Sequence, residues 1–261
     1  MQYALPAFFA LFVWWFSTGL VIFLDNLPRR TFKYSMAGAA LVAALSLAGL
    51  ASTAQEASVT AAYEAFFFAL MAWGFLEISF YTGYITGPRK HECRAGCGGL
   101  GHFGHAVQAS LWHEVLIILT GGVVAYLTWE SPNQVGLWTF LVLAWMHESA
   151  RLNVFFGVRN LSEEFLPAHL AYLKSFFRLA PMNLFFPVSI TVSMVVATLL
   201  FAAAASGSAF ARAGDMLVGT MMALAIAEHW FLVVPLPAAK LWHWGLASRR
   251  PALACDVPQE S

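Results

Sequence analysis

Seven runs of predominantly apolar residues, each long enough to cross a bilayer, restrict the fold of this 261-residue chain more than any other feature. They cover residues 4–24, 34–51, 59–85, 105–128, 134–157, 183–205 and 214–236. A hydrocarbon core about 30 Å thick needs roughly 18–20 residues of helix. No water is present there to pair with a free backbone, so each run must satisfy its own N–H and C=O groups and is predicted to be α-helical. The second run, rich in Ala and Ser, is barely long enough. Charged residues make up only 11% of the chain, against about 25% in soluble domains. The expected fold is an all-α polytopic membrane protein, a single membrane domain over residues 1–261 with seven transmembrane helices.

The basic residues predict its orientation. Arg29, Arg30 and Lys33 follow the first run, Arg89, Lys90 and Arg94 the third, Arg159, Lys174 and Arg178 the fifth, and Lys240, Arg249 and Arg250 the seventh. The alternate connections hold only Arg212, with Glu56 and Glu130 among their few charges. Cytoplasmic loops concentrate Lys and Arg, so the N-terminus is expected outside and the C-terminus in the cytoplasm. Residues 1–5 carry no basic segment and the first run is long enough to span, so no cleavable signal peptide is expected.

Polar groups interrupt four of the runs. Glu77 lies in the third, His113 and Glu114 in the fourth, His147, Glu148, Arg151 and Asn153 in the fifth, and Glu228 and His229 in the seventh. Each ionisable group at mid-membrane depth costs about 2.5–3.5 kcal/mol on insertion scales, so such groups have partners or functions. The predicted topology places them all in the cytoplasmic half. Three readings are open. One is a buried network centred on Arg151, with Glu148 and His147 as its i−3 and i−4 neighbours. Another is a tetrapyrrole or other ligand pocket. The last is a metal site drawn from His113, Glu114, His147, Glu148, Glu228 and His229. Adjacent helical residues point about 100° apart, which limits what each His-Glu pair can aim at one small site. The Glu-x-x-His arrangement of helical di-iron proteins is absent, as is the multi-histidine pattern of membrane hydroxylases. Trp14 and Trp15 lie mid-run, as packing or ligand-facing groups. Tyr81 and Tyr84 share a face with Glu77.

The connection after the third run, GPRKHECRAGCGGLGHFGH, offers His91, Cys93, Cys97 and His102 as possible zinc ligands. Its C-x3-C spacing differs from the tighter pairs of most structural zinc sites. A reduced, flexible, Gly-rich loop is the competing reading. Cys255 is the third cysteine, and this sparse set is no disulfide framework. His102, His105 and His113 recur at a helical period.

After Gly157, Ser162 is a candidate cap for a helix over 163–178. Glu163 and Glu164 suit the first turn, and Leu166, Leu170, Leu173 and Phe177 form an apolar stripe that includes His169. An amphipathic helix lying on the cytoplasmic membrane surface is expected, with Arg159, Asn160, Glu163, Glu164, His169 and Lys174 offered to partners. The tail, 246–261, is expected to be flexible. Walker loops, dinucleotide fingerprints, nucleophile elbows and zincin helices are absent, and nothing supports nucleic-acid binding.

The segments FVWWFSTGLVIFLDNLPRRTF (12–32), WGFLEISFYTGYITGPR (73–89), SPNQVGLWTFLVL (131–143), LNVFFGVRNLSEEFLPAHLAYLKSFF (152–177), PMNLFFPVS (181–189) and EHWFLVVPLP (228–237) resemble the PuhE family of photosynthetic complex assembly proteins from anoxygenic phototrophic bacteria. The likeness covers nearly the whole chain and is most specific over 152–177. It implies a multi-pass protein of the bacterial cytoplasmic (inner or intracytoplasmic) membrane. It also implies a role in assembling the reaction centre and light-harvesting core, or in regulating bacteriochlorophyll supply. Its implied partners are the lipid bilayer, reaction-centre or light-harvesting subunits and pigment-synthesis enzymes. Bacteriochlorophyll or another tetrapyrrole is the favoured ligand, ahead of iron or zinc. No catalytic residues carry over, so a non-enzymatic factor is expected. The alternative is a membrane-embedded metal-dependent oxidoreductase or hydroxylase acting on a tetrapyrrole or isoprenoid.

Overall fold

A computed structural model describes residues 1–94 and 96–248. Arg249, Arg250, Cys255 and the rest of the tail lie outside the described residues. Seven long helices follow in order: α1 (Ala4–Asp25), α2 (Phe32–Thr53), α3 (Val59–Tyr81), α4 (Gly99–Leu127), α5 (Val135–Phe156), α6 (Phe185–Ser206) and α7 (Ala209–Phe231). A single-turn α8 (His243–Leu246) comes after them. Six of the seven, all but α5, are long and apolar enough to cross a membrane. Helix α5 is no shorter than its neighbours, at 22 residues, but carries His147, Glu148, Arg151 and Asn153.

Helices α4 and α7 differ in their boundaries from the apolar runs, and at α7 capping groups decide them. Helix α4 starts at Gly99, a full turn and more before the apolar run. Helix α7 starts at Ala209 because the Ser208 hydroxyl accepts the Ala211 N–H at 3.2 Å, and it ends at Phe231. That end is closed by Asn160, whose side-chain amide donates to the carbonyls of Phe231 and Val234 at 2.8 and 2.6 Å. Glu228 and His229 therefore occupy the last turn of α7.

Successive helices alternate in direction, and contacts fix the two ends of the bundle. At one end Arg212, beside the start of α7, donates to Gln2 and lies over the Tyr3 ring. There too Asn133, before α5, donates to the carbonyls of Thr53 and Ala61. At the other end His169 packs on Phe32 and bonds the Tyr81 carbonyl, and the Cys93 N–H donates to Ser175. The clusters at Arg29–Lys33, Arg89–Arg94, Arg159–Arg178 and Lys240 all belong to this second end.

The core is built on α3. Ala61, Ala62, Ala65 and Ala69 are buried along it, and small side chains let neighbouring helices approach closely. Around them pack Phe66, Leu76, Phe140, Leu217 and Met221. The outer faces of α1, α4 and α6 expose Phe8, Phe12, Ile118, Leu119, Val192 and Leu199, as lipid-facing surfaces do.

The segment expected as one amphipathic α-helix over 163–178 is not α-helical. It forms a 3-10 turn at Glu163–Phe165 and a nine-residue 3-10 helix at Ala168–Phe176. Ser162 adopts a left-handed conformation (φ 50°) and makes no side-chain cap, and Pro167 stands extended between the two pieces. With three residues per turn the inward stripe becomes Leu170, Leu173 and Phe176, packed on Phe80 and Ala109. The segment is still amphipathic, with a different period.

Candidate functional site

The polar groups of α3, α4 and α5 meet near the basic end of the bundle. Trp73, Glu77 and Phe80 recur at i, i+4 and i+7 and so share one face of α3. From α4, His113 faces Phe80 (ring centroids 4.7 Å apart), and from α5 His147 faces Trp73 at 5.5 Å. Between these aromatic walls the two imidazoles lie 5.2 Å apart, and His147 Nδ1 is 3.3 Å from Glu77 Oε1. One ligand atom each from Glu77, His113 and His147 falls within 4.8 Å of the others. Glu114, His147 and Glu148 make a second group at the same limit, so the two groups share His147.

Both His-Glu pairs place both members because each helix faces two neighbours. His113 turns toward α3, while Glu114 pairs with Arg151 of α5, which also donates to Ser110. Arg151 is thus the partner of Glu114; no ion pair with Glu148 occurs among the described residues, contrary to the i, i+3 expectation. Of the three carboxylates here, Glu77 is paired with His147 and Glu114 with Arg151, while Glu148 lies beside Glu114 and His147.

The remaining candidates are separate. Glu228 accepts from the Trp14 indole at 3.2 Å. His229 is saturated: Nδ1 bonds the Ala225 carbonyl and Nε2 bonds Ser149 Oγ, both at 2.9 Å. Asn153 donates to Ser149 O and Ser189 Oγ and receives Asn183, which ties α5 to α6. His113 contrasts sharply with His229. It is 0% exposed, yet neither ring nitrogen has a hydrogen-bond partner. Buried polar groups are nearly always satisfied, so the two idle nitrogens, one of them within 4.8 Å of a Glu77 oxygen, set His113 apart from His229.

One determinant lies outside the polar residues. The loop after α3 is pressed against α4: Thr86 O accepts the His113 N–H at 3.0 Å, and a Cβ on Gly87 would fall 2.0 Å from Gln108 O. Glycine at 87 therefore permits the contact that sets His113. The GP dipeptide at 87–88 was its only sequence signal.

Farther along that loop, Cys93, Cys97 and His102 form another group within 4.8 Å. His91 only lines an adjoining depression of ≈ 420 Å³ with Arg89 and Arg94. The Cys97 thiol is pushed up by its hydrogen bond with Cys93, with Arg89 opposing.

Of the expected docking residues, Arg159, Glu163, Glu164 and Lys174 are exposed. Lys174 pairs with Glu163 at 2.7 Å, and both are more than 40% exposed, so the pair contributes little. Asn160 is spent on the α7 cap. His169 bonds the Tyr81 carbonyl at 2.8 Å and so closes α3. Arg159, Asn160, Glu163 and Glu164 border an open depression of ≈ 390 Å³.

A family model described as "Protein of unknown function (DUF3623)" matches residues 1–252. The chain belongs to this family. It is also 38% identical, over 94% of its own length and 91% of the relative's, to an "Uncharacterized 30.4 kDa protein in puhA 5'region" of Rhodobacter capsulatus. No solved structure matches.

Proposed function

We propose that this protein is an integral membrane factor of the photosynthetic apparatus, acting in assembly of the reaction centre and light-harvesting core or in regulating bacteriochlorophyll supply. The observation that carries this reading is the 38% identity to a protein from the puhA region of Rhodobacter capsulatus. Together with the resemblance to the PuhE proteins, it points to a photosynthetic role. In this reading all seven long helices cross the bacterial cytoplasmic membrane. Helix α5 is included because α3, α4, α6 and α7 cover much of its polar side. The basic end faces the cytoplasm, as the positive-inside rule requires. There the 3-10 segment and the exposed Arg159, Glu163, Glu164 and Lys174 form a surface for core subunits or pigment enzymes. Affinity capture of the tagged full chain from phototrophically grown cells tests this. Reaction-centre or light-harvesting polypeptides, or bacteriochlorophyll, should co-purify in excess over an unrelated tagged membrane protein. Their absence would refute the binding role.

A second reading is favoured by one observation, the Glu77–His113–His147 group. Two histidines and one carboxylate around a point are the donor set of non-haem Fe(II) oxygenases and of many zinc sites. Such a centre would support metal-dependent oxidation of a tetrapyrrole or isoprenoid. Elemental analysis of purified protein should then find iron or zinc that is lost in His113→Leu and Glu77→Gln. Unchanged metal in both variants would remove this reading.

A further inference from the structure

Cys93, Cys97, His102 and His105 converge outside the Glu77–His113–His147 group, and their geometry is independent of the functional readings above. His102 Nδ1 lies 3.3 Å from Cys93 Sγ. His105 Nδ1 lies 3.4 Å from Cys93 Sγ and 3.3 Å from Cys97 Sγ. Thiols are only weak hydrogen-bond donors and acceptors, yet here two sulfurs and two imidazole nitrogens, all of them soft-metal donor types, are in mutual contact. Tetrahedral zinc, at about 2.3 Å from sulfur and 2.0 Å from nitrogen, sets neighbouring S and N ligands about 3.5 Å apart. The three S···N separations lie close to that edge length, with Cys93, Cys97 and His102 forming one group within 4.8 Å and His105 adjoining both sulfurs. Both cysteines are free thiols.

The surroundings are built to hold the four together. Gly96 (φ 83°) and Gly99 (φ 59°) take left-handed conformations that turn the loop back onto the start of α4. There His102 and His105, three residues apart, present their rings on one side. The Cys93 N–H donates to Ser175 Oγ at 3.0 Å, and the His102 ring lies against Phe155 and Phe176 at 5.4 and 5.5 Å. The glycines are therefore required by the turn, and the loop is anchored to the 3-10 segment and to α5.

We propose that Cys93-x3-Cys97-x4-His102-x2-His105 is a structural zinc site that clamps the α3–α4 loop onto α4 and the 3-10 segment. Zinc binds as the thiols and imidazoles give up their protons, which makes occupancy fall in acid. The test uses the full chain purified in detergent without chelator. One zinc per chain should be lost in Cys93→Ser and Cys97→Ser and retained in Glu77→Gln and His113→Leu, which separates this site from the one between α3, α4 and α5. Because the serine variants could misfold, Co(II) loaded into the unaltered chain provides a second readout. Thiolate-to-cobalt charge-transfer absorption should appear, and a strong chelator should speed alkylation of Cys93 and Cys97. Zinc retained in both serine variants would overturn the proposal. So would a Co(II) spectrum without thiolate bands, or a Cys93–Cys97 disulfide in protein purified anaerobically.

Discussion

Two buried histidines of similar depth behave differently because of their partners. His229 is 2% exposed with both nitrogens bonded, and His113 is 0% exposed with neither bonded. Removing a satisfied group strands its partner, so His229→Leu should cost about 1–3 kcal/mol of stability. Removing an unsatisfied one frees no partner, so His113→Leu should leave ligand-free protein as stable or slightly more stable, while abolishing any metal or pigment held beside Glu77. Unfolding by SDS titration, with and without prior chelation, measures both. Equal destabilisation in the two variants would mean that His113 has only a packing role. His169 supplies the pH-dependent counterpart. Burial holds its pKa below the ordinary value, partly offset by the Tyr81 carbonyl, with the Arg29 charge adding to the lowering. The neutral form is thus the one the fold prefers. Its contribution is complete above the ordinary pKa of about 6.5 and is lost as pH falls through the lowered folded value. Hydrogen-exchange protection of 168–176 should weaken on acidification, and His169→Gln should flatten that dependence. The sequence exposed these residues as polar interruptions, yet nothing in it distinguished His113 from His229. That difference depends on Ser149, from another helix, reaching one and not the other.

Among the elements, the α3–α4 loop and the 3-10 segment position the polar groups more than their composition suggests. A Cβ at residue 87 would meet backbone atoms of α4, which cannot yield as a flexible side chain can. Gly87→Ala should therefore cost about 1–3 kcal/mol or more and shift His113. Thermal denaturation in detergent checks the first effect, and loss of metal or pigment the second. A Gly87→Ala protein with unaltered stability would show that the loop does not set this helix. The long helices were legible because apolar runs have one solution in lipid. Their ends were less so, since Ser208 and Asn160 act through hydrogen bonds that hydropathy does not register. The segment at 163–178 failed for a related reason. Its leucines fit a period of 3.6 nearly as well as one of three, and docking of Leu170, Leu173 and Phe176 on Phe80 selected the latter. Trp14 and Trp15 likewise acquire roles only through distant chain. Trp14 donates to Glu228, and Trp15 donates to the Leu241 carbonyl at 2.8 Å.

For the whole molecule, the alternation of basic and non-basic connections survives as two chemically distinct ends. The proposed orientation predicts that a reporter fluorescent only in the cytoplasm is active when fused after residue 248 and inactive when fused before Met1. The reverse pattern would invert the assignment. The family and the relative extend over nearly the full chain, so the functional reading applies to the bundle and not to one segment. Deleting the gene from an anoxygenic phototroph that carries it, and quantifying core complexes and bacteriochlorophyll in its membranes by absorption, tests the photosynthetic role most directly. The account predicts altered core-complex or pigment levels, restored by the intact gene. Core complexes and pigment indistinguishable from the parent strain, under both low and high light, would contradict it.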